Sequence, residues 1–327
     1  MKILIIGSGS GGHIYPAISF INYLTKINIS YVCLAFKKID EEIYKKNCIK
    51  FTYIDNNYKI IKKYKLIKEI INKNKIDTCL SFGGKNGFIA GLVSYLNNVN
   101  VYICEQNFII GKANKYLSFF AKKIFMSFPV KMKSKYIYTG NPVIDDIKPK
   151  KLTIFNNNKK IILVVCGSLG SETIINKIIE LTKIHNDYNY IIIKGKNVKA
   201  SISNCSNVKV YEYYEPLVDL IYNCDVIISR AGATTLSQII QISKPSIIIP
   251  SPYVKNNHQF YNAKFLYDLN AIVMIEEKKL TMEGIKKAID KILYSNFEAK
   301  RMKNALINIQ TKDACKKIYM EMKKNEK

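Results

Sequence analysis

The feature that most constrains this chain is a short apolar run that opens directly into a glycine-rich loop. Ile3–Ile6 is uncharged and β-prone, Gly7–His13 supplies the loop, and an apolar periodicity typical of a helix begins at Pro16. A strand, a glycine loop and a helix in this order bring backbone N–H groups and a helix N-terminus up to a phosphate or sugar. A second loop of this kind, Gly167–Gly170, follows another apolar run halfway along the chain. The pattern predicts two similar halves.

Length and composition agree with two soluble halves. The chain has 327 residues, which favours two domains of about 150 residues each. Its mean hydropathy is -0.04, no apolar run reaches the roughly 18 residues of a spanning helix, and the N-terminus lacks a secretory pattern. The eight cysteines form no C-x-x-C pair, which is typical of core residues in a reducing compartment and predicts no metal site.

The order of predicted elements indicates an α/β chain in two Rossmann-like halves. Strands are predicted at Lys2–Ile6, Tyr31–Ala35, Thr78–Phe82, Val101–Cys104, Ile161–Cys166, Tyr190–Lys194, Val226–Ser229, Ser246–Pro250 and Ile272–Ile275. Helices are predicted at Pro16–Lys26, Ile60–Asn72 and Phe88–Leu96, from about Glu172, and in the charged tail Phe297–Lys327. We expect domains at residues 1–147 and 161–327, joined by a polar linker at residues 148–160, with parallel sheets facing across a cleft. The last helix is a candidate for packing back on the first domain.

Polar, glycine-rich segments follow the predicted strands in both halves. The loops are Gly7–His13, Ser81–Gly87, Glu105–Asn107, Gly167–Gly170 and Ser229–Thr235. Ligands of such folds bind at the carboxyl ends of the strands. No Walker lysine, acidic metal cluster or Cys/His metal spacing accompanies the loops. A metal-free nucleotide-sugar site therefore fits better than a nucleoside triphosphatase.

Arg230 stands out because the chain has only one other arginine, Arg301, among many lysines. It lies beside a glycine turn and before a predicted helix start. A guanidinium offers a rigid bidentate fork that lysine lacks, which suits a diphosphate. The alternative is a structural pair with a nearby carboxylate such as Asp225.

Seven strings in the chain, taken together and in order, resemble the MurG family. They read G-S-G-G-H-I-Y-P, F-G-G, E-Q-N-F-I-I-G-K-A-N-K, T-G-N-P-V, G-S-L-G, S-R-A-G-A-T-T-L-S-Q and H-Q-F-Y-N-A. The resemblance implies a two-domain GT-B glycosyltransferase that needs no metal or other cofactor. It also implies transfer of N-acetylglucosamine from UDP-N-acetylglucosamine to the 4-hydroxyl of the muramoyl sugar of lipid I, with inversion, giving lipid II for peptidoglycan. The implied location is the cytoplasmic face of the cell membrane, as a peripheral protein.

The resemblance also assigns site residues by position. The assigned binding residues are Ser10, Gly11 and Gly12 at the donor sugar and diphosphate, Asn107 at the sugar, Ser168 at the phosphates, Tyr214 at the uracil, Ala233, Thr234, Thr235, Leu236, Ser237 and Gln238 at the diphosphate and ribose, and His258, Gln259 and Asn262 at the sugar hydroxyls. Arg230 is a further candidate for the diphosphate of the leaving group.

Glycosyl transfer of this kind needs a base for the acceptor hydroxyl. His13 is the best candidate, because it is ionisable near neutral pH and lies on the N-terminal loop. The other two histidines are His185 and His258, and Glu105 is the second candidate for the base. The alternative for His13 is a structural role, in which it only hydrogen-bonds the loop.

Some positions depart from the family pattern. Ile144 replaces the usual arginine after G-N-P-V, Gln238 replaces the ribose-binding acid, and Cys104 replaces the histidine before E-Q-N. The second loop reads Lys85-Asn86-Gly87 where a tyrosine and Ser-Gly-Pro are usual. These departures keep two alternatives open: a GT-B transferase with another lipid acceptor, and a catalytically decayed protein that binds membrane or cell-wall partners.

The formal net charge of +26 predicts attraction to anionic surfaces. Because the lysines are dispersed and no nucleic-acid module is present, we expect an anionic membrane surface rather than nucleic acid as the partner. Codon bias toward lysine is the alternative explanation. The strongest docking candidate is Tyr58–Lys75, an amphipathic pattern in which Ile60, Tyr64, Ile67 and Ile71 share one face among lysines that include Lys59, Lys62, Lys63, Lys65 and Lys68. The same stripe also suits an ordinary helix packed on a sheet.

Overall fold

The chain divides into two compact units in the computed structural model, which describes residues 1–130, 134–145, 147–167, 169–200 and 205–324. The first unit combines Met1–Asp146 with Thr311–Lys327, and the second is Ile147–Gln310. Each unit contains its own parallel sheet.

The sheet of the first unit has seven strands within the described residues, in the order β3-β2-β1-β4-β5-β6-β7, and every neighbouring pair is parallel. Its strands are β1 (Ile3–Ile6), β2 (Tyr31–Ala35), β3 (Thr52–Tyr53), β4 (Thr78–Ser81), β5 (Asn100–Glu105), β6 (Lys123–Met126) and β7 (Tyr136–Tyr138). Its helices are α1 (Gly11–Lys26), α2 (Lys38–Lys46), α3 (Ile60–Asn74), α4 (Gly84–Leu96) and α5 (Lys112–Leu117), with a 3₁₀ turn at Pro142–Ile144 and the last helix of the chain at Ala314–Lys323. Strand order reverses between β1 and β4, so the first two glycine loops leave the sheet at its switch point.

The second unit has a six-stranded parallel sheet among its described residues, in the order β10-β9-β8-β11-β12-β13. Its strands are β8 (Lys160–Val165), β9 (Tyr188–Ile193), β10 (Val208–Tyr211), β11 (Val226–Ser229), β12 (Ser246–Ile248) and β13 (Val273–Met274). Its helices are α6 (Glu172–Ile184), α7 (Leu217–Asn223), α8 (Ala233–Ile242), α9 (His258–Asp268), α10 (Met282–Tyr294) and α11 (Asn296–Ile307), with 3₁₀ turns at Lys255–Asn257 and Glu277–Lys279. The loops after β8 and β11 again leave the sheet where the strand order reverses.

Two helices begin earlier than predicted. The sequence places the start of α1 at Pro16, the favoured first-turn position for proline, whereas the helix begins at Gly11 with Ser10 as its extended N-cap. Pro16 is tolerated inside because its missing N–H leaves only one carbonyl of the first turns without its helical donor. Likewise α4 begins at Gly84 rather than Phe88. As a result, His13 lies in the first turn of α1 and not in a loop.

The charged tail, predicted as one helical stretch, is two helices. The last of them, α12 (Ala314–Lys323), belongs to the first unit, where Cys315, Ile318 and Met322 are buried in the same cluster as the inner face of α1. Its N-terminus is held by Asp145, whose carboxylate accepts the backbone N–H groups of residues 314 and 315 at 2.8 and 2.6 Å. A carboxylate at a helix N-terminus offsets the unpaired N–H groups and the helix dipole.

Helix α3 is only partly the predicted amphipathic face. Ile67 and Ile71 are buried against the sheet, but Ile60 is 64% exposed and therefore does not belong to the buried apolar face. Lys63, predicted among the basic residues of the docking segment, is instead buried with 3% of its surface exposed. Helix α3 therefore both packs on the sheet and leaves an exposed apolar end.

Candidate functional site

The site residues of the first unit are centred on His13. Its backbone N–H donates to the Ser10 carbonyl at 3.0 Å, which closes the first turn of α1. Its ring Nδ1 lies 3.1 Å from the Ser8 carbonyl oxygen and 3.4 Å from Ser10 Oγ. A carbonyl oxygen can only accept, so Nδ1 carries the proton in this hydrogen bond, and in the neutral imidazole Nε2 is then the unprotonated nitrogen.

The second glycine loop lies against the His13 ring. A Cβ built on Gly83 would lie 3.2 Å from His13 Nε2 and 3.2 Å from Asn114 Nδ2, and Gly83 has a φ of +106°. Gly84 also has a positive φ and faces Nδ1 of the same ring. Only glycine combines this backbone conformation with this close approach. The two loops thus place the imidazole beside the N-terminus of α4.

Glu105, the second candidate for the base, is almost fully buried at the end of β5. One carboxylate oxygen accepts the backbone N–H and the side-chain amide of Asn107 at 3.0 and 3.2 Å. The other accepts the Gly111 N–H at 2.9 Å and Asn114 Nδ2 at 2.8 Å. Four donors occupy the carboxylate, and the arrangement fixes the loop that carries Asn107.

The Ser8 hydroxyl belongs to a buried polar cluster that was not predicted from the sequence. The hydroxyl donates to Asp40 Oδ2 at 2.6 Å and accepts from Asn86 Nδ2 at 3.3 Å. Asp40 also accepts the Gly9 N–H at 2.8 Å. The one available signal was an aspartate in the first turn of α2, the helix that follows β2, since buried backbone N–H groups of nearby loops need an acceptor. Of the predicted residues here, Ser10, Gly11 and Gly12 lie at the N-cap and first turn of α1.

The Arg230 side chain binds other protein groups within the second unit. Its Nη2 donates to Ser171 Oγ at 2.6 Å and pairs with the Glu277 carboxylate, and its Nη1 donates to the Ile249 carbonyl at 3.2 Å. The suggested structural pair with Asp225 is wrong, because Asp225 binds the chain near the start of β8 instead. Glu277 is the carboxylate that folding brings to Arg230. The guanidinium therefore ties together segments that follow β8, β11, β12 and β13.

Helix α8 presents an uncapped N-terminus after β11. Its N-cap Gly232 has no side chain to cap the first N–H groups, so these donors remain available to an anion. Thr234 Oγ1 and Gln238 Oε1 are buried atoms without a hydrogen-bond partner in the described structure. The other predicted residues of this segment are Ala233 and Thr235 in the first turn, and Leu236 and Ser237, whose side chains are buried.

The remaining predicted residues of the second unit lie near its other strand ends. Tyr214 packs edge-on against the ring of the last residue of β10, with centroids 5.3 Å apart. His258 starts α9 with its Nδ1 2.9 Å from a carbonyl oxygen, and Gln259 accepts the Ser251 N–H at 2.9 Å. Asn262 is fully buried and donates to the Ala231 carbonyl at 3.2 Å. Ser168 lies outside the described residues.

The departures from the family pattern are partly hidden from solvent. Cys104 is fully buried within β5, and burial raises the pKa of its thiol. Ile144 is also buried, in the 3₁₀ turn after β7. Neither side chain faces solvent at a strand end.

The described ranges contain no group of three or more His, Cys, Asp or Glu side chains placed to hold a metal ion. In the same ranges, every helix is too short or too polar to cross a bilayer.

Comparisons with known proteins cover nearly all of the chain. Residues 3–126 match the glycosyltransferase family 28 N-terminal domain, and residues 161–318 match the glycosyltransferase family 28 C-terminal domain. A relative from Sulfurihydrogenibium sp., 34% identical over 91% of both chains, is named UDP-N-acetylglucosamine--N-acetylmuramyl-(pentapeptide) pyrophosphoryl-undecaprenol N-acetylglucosamine transferase. A relative of the same name from Bacillus cytotoxicus is 29% identical over 99% of both chains.

Solved structures show the same fold. MurG of Acinetobacter baumannii superposes with a TM-score of 0.82, at 22% identity over 99% of both chains. The glycosyltransferase of kitacinnamycin superposes with a TM-score of 0.81, at 11% identity over 98% of both chains. The prediction of an α/β GT-B fold built from two Rossmann-like parallel sheets is confirmed.

Proposed function

Because this chain belongs to glycosyltransferase family 28 and, within it, to the MurG family, we propose that it transfers N-acetylglucosamine from UDP-N-acetylglucosamine to lipid I. The product is lipid II, the lipid-linked disaccharide of peptidoglycan synthesis. The observation that carries the proposal is the His13 imidazole, whose Nδ1 is committed to the Ser8 carbonyl at 3.1 Å while two glycines clear the space around its ring. We assign the acceptor to the first unit and the UDP-sugar to the second.

His13 is the general base in this proposal. The 4-hydroxyl oxygen of the muramoyl sugar attacks the anomeric carbon of N-acetylglucosamine, and its proton moves to His13 Nε2. The bond between the anomeric carbon and the β-phosphate oxygen breaks, UDP leaves with the electron pair, and the anomeric configuration inverts. The four hydrogen bonds that occupy Glu105 favour a positioning role for that carboxylate.

The donor diphosphate is assigned to the N-terminus of α8. Backbone N–H groups and the helix dipole stabilise the negative charge that develops on departing UDP. The unpartnered Thr234 Oγ1 and Gln238 Oε1 support a polar ligand here, with the ribose at Gln238. Tyr214 is assigned to the uracil, and His258 and Gln259 to the sugar hydroxyls. The side chains of Arg230 and Asn262 already hydrogen-bond protein groups. We therefore assign them to holding these loops in place and not to contacting the donor.

We further propose that the protein binds the cytoplasmic leaflet through the start of α3. Ile60 and Ile61 are 64% and 71% exposed there, next to the exposed Lys59 and Lys62. An apolar helix end flanked by lysines suits an anionic leaflet. We therefore assign lipid, and not nucleic acid, as the partner of the basic surface. Ile60→Ser with Ile61→Ser should reduce co-sedimentation with anionic vesicles, whereas Phe297→Ser, which changes an exposed phenylalanine of the second unit, should not. Equal binding by both variants would contradict this surface.

The test of the transferase is UDP release from UDP-N-acetylglucosamine with a short-chain lipid I analogue, measured with EDTA present. We expect turnover in the wild type and a decrease of about 10²- to 10⁴-fold in His13→Ala, with UDP binding retained. His185→Ala, at the end of α6, is the matched control and should keep full turnover. Donor binding without turnover in the wild type would contradict the proposal and favour another acceptor or a decayed binding protein.

A further inference from the structure

Lys63 is a lysine in an unusual environment. It lies in the first turns of α3, it is 3% exposed, and its neighbours Lys62 and Lys65 are at the surface. Among the described lysines, it is the one whose side chain is buried. Burial lowers the pKa of its ammonium, and the positive charge of Lys85 adds to this.

The Lys63 ammonium donates to neutral oxygens within the described structure. Nζ lies 2.8 Å from the Asn56 carbonyl oxygen, 3.5 Å from Asn56 Oδ1 and 3.4 Å from Asn86 Oδ1. A buried charge of this kind is expensive, and an apolar side chain of similar volume is often as stable or more stable. Stability alone therefore does not account for a lysine here.

The amide of Asn86 connects this ammonium to the first glycine loop. Since Lys63 donates to Oδ1, the Nδ2 end of the amide must face the other way, toward Ser8 Oγ at 3.3 Å and Asn56 Oδ1 at 3.1 Å. The Ser8 hydroxyl then uses its own proton to reach Asp40 Oδ2 at 2.6 Å. If the amide turned over, Oδ1 would compete with Asp40 for that proton and the hydroxyl would lose its donor.

We propose that Lys63 is a positioning residue for His13, acting through Asn86 and Ser8. The Ser8 side chain, fixed by Asn86 and Asp40, holds the Ser8 backbone, whose carbonyl accepts from His13 Nδ1 at 3.1 Å. Lys63 sets the orientation of the Asn86 amide, and this orientation keeps the imidazole in the tautomer that leaves Nε2 as the base. The inference rests on the proposed role of His13 in glycosyl transfer.

The first experiment compares Lys63→Met with Lys73→Met, which changes an exposed lysine of the same helix. Lys63→Met should lower kcat by about ten- to a hundredfold, with the donor KM within about twofold of wild type. Lys63→Gln supplies a neutral N–H donor to Asn86 Oδ1 and should retain more of kcat than the methionine variant. Lys73→Met should match the wild type. Wild-type kcat in folded Lys63→Met would overturn the proposal.

A second variant keeps the proposal testable if Lys63→Met does not fold. Asn86→Asp offers Lys63 a carboxylate, which holds α3 in place, but it has no N–H for Ser8 Oγ. It should lower kcat as Lys63→Met does, and wild-type kcat in this variant would overturn the proposal.

Nitrogen NMR of the His13 ring separates this inference from the proposed function. In Lys63→Met, or in Asn86→Asp if needed, loss of the Nδ1-protonated signal supports positioning even if lipid I proves to be the wrong acceptor. An unchanged ring signal overturns positioning even if lipid I is the right acceptor.

Discussion

Nδ1 of His13 lies 3.1 Å from the backbone carbonyl oxygen of Ser8, and that oxygen can only accept a hydrogen bond. This contact fixes the neutral imidazole as the Nδ1–H tautomer. It leaves the lone pair on Nε2, the nitrogen that faces Gly83, where a side-chain Cβ would approach to 3.2 Å. The first glycine loop therefore determines which ring nitrogen of His13 can act as a base, in addition to forming a turn.

The tautomer can be measured directly, because the chain contains only three histidines. At a pH where the rings are neutral, ¹⁵N NMR should show His13 protonated at Nδ1 and unprotonated at Nε2. His13→Gln removes one set of ring signals and so assigns them. A ring protonated at Nε2 would contradict the hydrogen bond and remove the structural support for the base.

Glu105→Gln tests whether this carboxylate organises its loop or acts as the base. An amide places an NH₂ group against donors that now bind carboxylate oxygens, so we expect destabilisation on the order of 3 kcal/mol and weaker donor binding. Thermal unfolding and donor KM measure the two effects. Glu69→Gln, an exposed change on α3, is the control. Abolished turnover with unchanged unfolding and donor KM would instead identify Glu105 as the base.

Arg230→Lys tests the contacts of the Arg230 guanidinium in the second unit, which we call the clamp. Lysine keeps the charge, but its ammonium cannot span Ser171, the Ile249 carbonyl and Glu277 in one fixed fork. We expect the donor KM to rise about tenfold while kcat changes little, since the clamp positions loops and does not touch the reacting atoms. Steady-state kinetics with UDP-N-acetylglucosamine measures both parameters.

The remaining arginine supplies the matched control for that experiment. Arg301 pairs with Glu298 on α11, and its side chain is 36% exposed. Arg301→Lys should leave the donor KM within about twofold of wild type, because Arg301 binds Glu298 and Asn270, which are not assigned to the donor. Equal effects of the two substitutions would show that the clamp has no special role.

Nine of the thirteen described strands were predictable, because each is a largely apolar run that ends at a polar or glycine loop. Tyr31–Ala35 and Val226–Ser229 have the predicted bounds. Strands β3, β6, β7 and β10 were missed. The edge strands β3, β7 and β10 have two to four residues with at most one of them buried, so they carry no periodic signal. Strand β6 is mostly buried, but its four residues begin with a lysine and are too few to show a pattern. The start of α1 was misplaced because Pro16 marks a first turn more often than an interior position.

The site was predictable where a residue type is rare and local, and not where distant contacts decide. His13 was identifiable as the one histidine in the glycine-rich segment that follows the first strand. Glu277 was not recognised as the partner of Arg230, because it lies far along the chain and meets it only in the folded sheet. Lys63 could not be distinguished from its surface neighbours by sequence, since its burial depends on Asn56 and Asn86.

Asp290 should contribute to the acid stability of the second unit. Burial alone would raise its pKa, but hydrogen bonds from Lys286 at 2.6 Å and Tyr188 at 2.7 Å outweigh burial and lower the pKa. A carboxyl with a lowered folded-state pKa stabilises the protein above its unfolded pKa, and this contribution is lost as the pH falls through the folded value. Asp290→Asn should therefore flatten the decline in stability between about pH 5 and pH 2. Urea unfolding at several pH values measures this, and Asp268→Asn, from an exposed pair, should leave the profile unchanged.

Gln238→Glu tests the assignment of the ribose to α8. Gln238 Oε1 is buried without a partner in the described structure, and a carboxylate there would accept more strongly from a ribose hydroxyl. We expect Kd for UDP to fall by about three- to tenfold, with a smaller gain for 2′-deoxy-UDP. Gln241→Glu is the control, because its Oε1 is also unpartnered but lies near the other end of the helix. Calorimetry with both nucleotides decides the question: equal gains for UDP and 2′-deoxy-UDP, or a gain in Gln241→Glu, would place the 2′-hydroxyl elsewhere.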